Sequence, residues 1–172
     1  MMYEMRDVII FATEAHEGQA RKYTENPYIV HPISVGFIVA SITQERDVIA
    51  AGILHDVLED TDRTESDILT LCNQRVLDFV LDVTDISKPS DGNRKVRKQI
   101  DLEHLAKAKP ESKTIKLADI IDNGSNVVKY DPGFAKVWLG EKKLLLPYLV
   151  EGHPLLYWRV DTIISKYENG IT

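Results

Sequence analysis

An apolar run that ends in two charged doublets constrains this sequence more than any other feature. The run is Ala50-Ala51-Gly52-Ile53-Leu54, and the doublets are His55-Asp56 and Glu59-Asp60. In a continuous helix, His55 and Glu59 would share one face, and Asp56 and Asp60 would also share one. Three carboxylates and an imidazole would then crowd one helix end, which is costly unless a cation compensates the like charges.

A divalent metal ion is the simplest such cation, because imidazole and carboxylate together suit manganese, iron or zinc. The alternative is a solvated acidic helix end before the polar run Thr61-Asp62-Arg63-Thr64. The second doublet and a further histidine, His31, favour the metal site.

Composition limits the classes of protein to which the chain can belong. Its 172 residues suit one domain spanning 1–172, with 44% hydrophobic and 28% charged residues. The net charge of -6 argues against a general binder of nucleic-acid polymers. The single cysteine, Cys72, excludes an intramolecular disulfide and is predicted to be a small core residue. No apolar stretch is long enough for a membrane span, and no signal peptide is evident, so we expect a cytoplasmic protein.

Apolar residues recur at helical spacing along the chain, and no segment is a convincing strand. This periodicity predicts an all-α fold in a single helical domain. The predicted helices cover residues 3–19, 31–42, 48–59, 65–72, 74–84, a segment from 94, a segment from 110, 134–149 and 154–167.

Two of these helices carry charges that need a reason. The helix from Arg94 begins with four basic residues in Arg94–Lys98, although cations are unfavourable at a helix N-terminus. An acidic ligand and a solvated face are both open explanations. The helix from Pro110 places Asp119, Asp122 and Asn123 on one side, within an apolar pattern. A buried carboxylate needs a partner, and a metal would supply one. The role of Asp122 stays open.

Several short motifs together resemble a known family. The order His31, His55-Asp56 and Asp119 is similar to the pattern of the HD-domain phosphohydrolases. The surrounding segments resemble the hydrolase domain of RelA/SpoT-type alarmone enzymes over about residues 8 to 125, and small stand-alone HD proteins most of all. The segments that carry this resemblance are Gly18–Lys22, Pro27–Pro32, Leu54–Thr61 and Lys116–Asp119.

The resemblance implies an HD-domain helical bundle with one metal ion, usually Mn²⁺. The implied metal ligands are His31, His55, Asp56 and Asp119. Glu59 and Asp60 match the catalytic acidic pair of the family, and Asn123 matches its pocket asparagine. The implied reaction removes the 3′-pyrophosphate of (p)ppGpp to give GDP or GTP and pyrophosphate.

The chemistry of the residues agrees with this implication. A metal lowers the pKa of a water molecule that it binds, and Glu59 or Asp60 could orient that water or take its proton. Arg21, Lys22 and Arg97 could neutralise phosphate oxygens. Tyr28 could stack on a base, although a packing role is an equal alternative.

Three functional hypotheses remain at this point. The first is a manganese-dependent (p)ppGpp 3′-pyrophosphohydrolase, and the second is an HD phosphohydrolase that acts on another nucleotide or phosphate ester. The third is a binding module that keeps the metal only for folding, which the intact Glu59-Asp60 pair disfavours. The expected partner is a small nucleotide substrate. The sequence leaves homo-oligomerisation and the physiological metal open.

Overall fold

A computed structural model describes residues 3–170 and confirms the predicted all-helical fold over that range. These residues form no strand, and their one isolated β-bridge pairs Ala20 with Pro27. The helices, in chain order, are α1 (Met5–Ala15), α2 (Val30–Ala40), α3 (Arg46–Leu54), α4 (Val57–Asp60), α5 (Glu65–Leu71), α6 (Gln74–Val83), α7 (Arg94–Leu105), α8 (Pro110–Tyr130), α9 (Pro132–Leu145) and α10 (Pro154–Glu168).

The helices group into two compact units that divide between Thr84 and Asp85. In the first unit, α3 packs on α1, α2 and α6, and in the second, α8 packs on α9 and α10. The prediction of one domain over residues 1–172 stays a prediction. Within the described range, no helix combines the length and the apolarity that a membrane span requires.

Local sequence explains where several helices begin. Thr64 accepts a hydrogen bond from the backbone N–H of Asp67, whose carboxylate accepts one from the backbone N–H of Thr64. This capping box starts α5 as the sequence predicts. Asn73 and Asn93 cap α6 and α7 in a similar way, each by accepting from a backbone N–H three residues ahead. Cys72 is buried, as expected of a core residue.

Two glycines let α2 and α3 approach each other closely. Gly36 and Gly52 are both buried, and a Cβ built on Gly52 would lie 3.6 Å from the Cα of Gly36. A Cβ on Gly36 would lie only 2.4 Å from Cγ1 of Ile53, which is closer than carbon atoms can pack. Because His31 lies on α2 and His55 directly follows α3, this contact also sets the distance between the two histidines.

We therefore expect Gly36→Ala to destabilise the fold, although alanine is the better helix former. Overpacking of a core costs about 1–3 kcal/mol, and the urea unfolding midpoint should fall accordingly. The control is Gly140→Ala on α9, where the added Cβ meets nothing within 4 Å. That change should stabilise the protein by about 0.5–1 kcal/mol. Equal midpoints for the two variants would contradict the role given to the α2–α3 contact.

Candidate metal centre

The close contact of α2 and α3 brings two buried histidine rings together. His31 lies in the first turn of α2, and His55 is the residue after α3. Their ring centroids are 5.1 Å apart at an interplanar angle of 73°. The side chains are only 1% and 2% exposed, respectively. A pair of imidazoles this deeply buried is unusual without a shared partner.

Asp56 supplies that partner from its position between the two rings. Its Oδ2 lies 3.4 Å from Nε2 of His31, and its Oδ1 lies 3.1 Å from Nε2 of His55. One ligand atom from each of the three residues falls within 4.8 Å of the others. Burial opposes the charge of Asp56, but the His55 and His31 rings outweigh it and hold the pKa of its carboxyl well below the usual value.

The hydrogen bond on the far side of His55 fixes which ring nitrogen faces the cluster. Nδ1 lies 2.9 Å from the backbone oxygen of Gly52, and a carbonyl oxygen only accepts, so Nδ1 carries a proton. In the neutral ring, Nε2 is then a lone-pair donor directed at the carboxylate of Asp56. Two acceptors 3.1 Å apart require a proton or a metal cation between them. The cluster therefore has the ligand types of a divalent metal site, and the Nε2 lone pair of His55 is directed as a metal ligand requires.

The backbone departs from the sequence prediction at this point. We predicted one continuous helix over residues 48–59, and that prediction is wrong, because α3 ends at Leu54 and α4 begins at Val57. Neighbouring side chains on a continuous helix diverge by about 100° around its axis. The helix is instead interrupted at His55 and Asp56, where Nε2 of His55 lies 3.1 Å from Oδ1 of Asp56.

The second acidic doublet lies beside the cluster and not within it. The hydroxyl of Tyr28 donates to Oδ2 of Asp56 at 2.6 Å and approaches Oδ2 of Asp60 at 3.3 Å. Burial, together with the negative charge of Asp56, raises the pKa of Asp60, while the Tyr28 hydrogen bond opposes the shift. Glu59 is exposed on α4. An acid with a raised pKa beside a candidate metal site is suited to proton transfer.

Residues at the end of α1 complete the surroundings of Asp60. The side-chain amide of Gln19 donates to the backbone oxygen of Asp60 at 2.7 Å. His16 is 2% exposed at the C-cap of α1, where its Nδ1 contacts Oε1 of Gln19 at 2.9 Å and its ring lies 4.9 Å from that of Tyr28. Sequence reasoning assigned no role to Gln19, although its place inside the Gly18–Lys22 motif was a usable signal.

The predicted phosphate-binding pair, Arg21 and Lys22, lies in the loop between α1 and α2. The loop closes through a hydrogen bond from the backbone N–H of Arg21 to the carbonyl oxygen of Asn26 at 2.8 Å. Lys22 is exposed, with its ammonium 4.9 Å from the ring of Tyr23. Tyr28 and Ile29 form a turn that leads into α2 at Val30.

The remaining predicted ligand, Asp119, lies in the second unit on α8. Its Oδ2 is 3.1 Å from the ammonium of Lys116, and its Oδ1 accepts from the side-chain amide of Asn123 at 2.6 Å. The burial predicted from the apolar pattern is confirmed, since Asp119 is 7% exposed. Its role as a fourth metal ligand stays a prediction. Asp122 is half-buried, and its backbone oxygen accepts from Ser125 and Asn126.

The basic start of α7 has an explanation that the sequence did not provide. Arg94 forms a two-pronged ion pair with Glu141 of α9, at 2.7 and 2.8 Å. Lys98 pairs with Asp85 at 2.5 Å. Arg94 and Lys98 therefore form ion pairs within the protein, and neither a fully solvated face nor a bound ligand is needed to explain them. Arg97, a predicted phosphate contact, is half-buried, and its Nε has no hydrogen-bond partner among the described residues.

The helical fold and the buried histidine-aspartate cluster together define the class of this chain, a helical protein with a candidate metal centre. Comparison with known proteins gives its family. The family model described as HD domain matches residues 9–129, and the chain belongs to that family. The membership expected from the motifs is thereby confirmed.

Individual relatives agree with this placement. The chain is 39% identical over 124 residues to a guanosine-3′,5′-bis(diphosphate) 3′-pyrophosphohydrolase of Aquifex aeolicus, and the match covers 70% of this chain and 17% of that protein. It is also 39% identical over 117 residues to the Drosophila melanogaster enzyme of the same description, MESH1, covering 66% of this chain and 63% of that protein. The chain thus spans less than two thirds of the length of either relative.

A solved structure matches the whole fold. It is that of a metazoan ortholog of SpoT, described as hydrolysing ppGpp, with a TM-score of 0.84 and 27% sequence identity. The match covers 100% of both chains. The HD-domain fold predicted from the sequence is confirmed by this similarity.

The contacts of Tyr28 lead to a testable expectation. Tyr28→Phe removes the hydroxyl that bonds Asp56 and Asp60, and loss of such an outer partner typically weakens metal affinity about 10- to 100-fold. Calorimetric titration of the metal-free protein with Mn²⁺ measures the change. The matched control is Tyr148→Phe, at an exposed tyrosine of the second unit, which should bind as the wild type does. Unchanged affinity in Tyr28→Phe would limit the hydroxyl to packing.

Proposed function

We propose that this chain is a divalent-cation-dependent hydrolase that removes the 3′-pyrophosphate of (p)ppGpp. Water attacks the phosphorus bonded to the 3′ oxygen, the bond between them breaks, and the products are GDP or GTP and pyrophosphate. The observation that carries the proposal is the buried His31-His55-Asp56 cluster. It lies in a fold that matches a ppGpp-hydrolysing protein along its full length.

In this proposal His31, His55 and Asp56 hold the cation, with Asp119 as the fourth ligand. The mixture of imidazole and carboxylate ligands suits Mn²⁺, and Mn²⁺ is the ion we propose. A bound divalent cation supplies Lewis acidity and a more acidic water at neutral pH. The proton on Nδ1 of His55, held by Gly52, keeps the Nε2 lone pair directed into the site.

Proton transfer falls to the acidic pair. Glu59 is exposed and therefore accessible to a substrate, while Asp60 has a raised pKa and a hydrogen bond to Tyr28. Either carboxylate can accept the proton of the attacking water in this proposal. The Tyr28 hydroxyl positions Asp60 and Asp56 relative to each other.

Binding of the anionic substrate falls to the cations and to the pocket amide. Arg21 and Lys22 contribute from their loop and Arg97 from α7, each as a donor to phosphate oxygens. Asn123 acts through Asp119 in this proposal, because its amide is already bonded to that carboxylate. A small nucleotide is the proposed partner. A cytoplasmic location stays a prediction, and homo-oligomerisation stays open.

The test is a product assay with purified, Mn²⁺-loaded protein. The protein is incubated with ppGpp and, in separate reactions, with nucleoside mono-, di- and triphosphates. Release of pyrophosphate from ppGpp, with little release from the simple nucleotides, supports the proposal. Inertness towards ppGpp with phosphate release from another nucleotide would favour the broader HD phosphohydrolase. Inertness towards every substrate, with metal still bound, would favour a binding module.

A further inference from the structure

The second unit contains a cleft lined by several charged side chains, which the proposed mechanism does not use. It has a volume of about 60 Å³ and lies among α7, α8 and α9. Three lysines line it, Lys98, Lys116 and Lys142, and we call it the lysine cleft. Three carboxylates, those of Asp85, Asp101 and Glu141, share its walls.

Two of these carboxylates already have their own partners. Asp85 pairs with Lys98 at 2.5 Å. Asp101 is 6% exposed and accepts from the backbone N–H groups of Ile86 and Ser87 at 3.1 and 2.9 Å. Lys98 also lies 3.5 Å from Asp101, so its one ammonium serves both acids. The charge of this side of the cleft is therefore satisfied within the protein.

The third carboxylate is satisfied as well. Glu141 receives two parallel hydrogen bonds from the guanidinium of Arg94, a geometry that uses both of its oxygens. Lys116 is likewise engaged, since its ammonium lies 3.1 Å from Asp119. After these pairs are formed, the cation of the cleft that still needs an anionic partner is Lys142.

Lys142 differs from the other lysines of the cleft in its surroundings. Among residues 3–170 no carboxylate forms an ion pair with it, and its ammonium lies 5.2 Å from the ring of Trp138. Burial and the like charge of Lys116 lower its pKa to about 8, with a smaller contribution from Lys98. Asp119 opposes the shift only in part. A multiply charged anion would relieve this repulsion by sitting between the ammonium groups.

We propose that the lysine cleft binds a phosphate or pyrophosphate group of the substrate, with Lys142 as its principal cation. A lysine ammonium is a compact charge with three donors, which suits tetrahedral phosphate oxygens. The cleft also adjoins Asp119, the predicted fourth ligand, because Lys116 lines it and contacts that carboxylate. The assignment to the substrate rests on the proposed function, whereas the anion site itself does not.

Binding of inorganic pyrophosphate to the chelator-treated, metal-free protein tests the anion site without any catalysis. Lys142→Met should weaken binding about 10- to 100-fold, as expected for loss of a charge-assisted hydrogen bond. Lys142→Arg, which keeps the charge, should restore most of it. The control is Lys143→Met, whose ammonium is exposed and paired with Glu168, and which should bind as the wild type does. Circular dichroism establishes that each variant is folded.

The results separate the anion site from the proposed activity. Equal pyrophosphate binding in wild type, Lys142→Met and Lys143→Met, or no binding at all, would overturn the site. In the ppGpp assay, Lys142→Met should raise KM about 10-fold or more with a smaller change in kcat. Loss of pyrophosphate binding with an unchanged KM would assign the cleft to free pyrophosphate and overturn the assignment to the substrate. A wild type that binds pyrophosphate through Lys142 but leaves ppGpp intact would refute only the proposed function.

Discussion

His55→Ala is expected to lose bound metal, whereas the wild-type protein should retain it through purification. The substitution removes the ring whose Nε2 faces Asp56, and it leaves Asp56 with one imidazole in place of two. Loss of an outer partner costs about 10- to 100-fold in affinity, and loss of a direct ligand should cost more. Elemental analysis by mass spectrometry and calorimetric titration with Mn²⁺ both measure the effect.

The control for this substitution is another histidine-to-alanine change outside the cluster. His104 lies in the last turn of α7, in the second unit, and His104→Ala should retain the wild-type metal content. Stoichiometric metal in His55→Ala would refute the assignment of the cluster as the metal site. Asp119→Ala extends the same measurement to the fourth predicted ligand. A loss similar to that of His55→Ala would support its role, and unchanged content would remove it.

The second large effect is expected at the acidic pair. Glu59→Gln should keep the metal and the fold but lose most of the hydrolysis, because the amide cannot accept a proton. Groups that transfer protons contribute about 10²- to 10⁴-fold to a rate, and kcat for ppGpp should fall within that range. Glu59 lies on α4, outside the ligand cluster, so its replacement leaves His31, His55 and Asp56 intact.

Two further variants make this result specific. Asp60→Asn tests the neighbouring carboxylate, whose raised pKa and Tyr28 contact make it the other candidate base. Glu65→Gln, at an exposed acid in the first turn of α5, is the matched control and should hydrolyse at the wild-type rate. Near-wild-type turnover in metal-loaded Glu59→Gln, together with loss in Asp60→Asn, would move the proton-transfer role to Asp60.

Local signals were sufficient for much of the fold. The capping box of Thr64 and Asp67 and the caps at Asn73 and Asn93 involve residues within three positions of each other, so the sequence displays both partners. Apolar residues at helical spacing similarly identify the buried stripe of each helix. The prediction of one helix over residues 48–59 was wrong, because the spacing of apolar residues does not reveal that the helix is interrupted at His55 and Asp56.

The chemistry of the candidate site followed from residue types, but its assembly did not. His31, His55 and Asp56 were identifiable from sequence because imidazoles and carboxylates inside apolar patterns need partners. The contact of Tyr28 with Asp56 joins residues 28 positions apart, and the pair of Arg94 with Glu141 joins residues 47 apart. No local pattern encodes such pairs.

The sequence by itself therefore determined the helical class of this protein, its HD-domain family and the kinds of ligand available to a metal. Each of these depends on residue identity and on spacing within a few turns of helix. Only the tertiary structure decided which nitrogen of His55 faces Asp56, that Tyr28 bonds two carboxylates, and that Lys142 forms no ion pair with a carboxylate among the described residues. The physical reason is that these features depend on how closely the helices pack within each unit, as at the Gly36–Gly52 contact of α2 and α3.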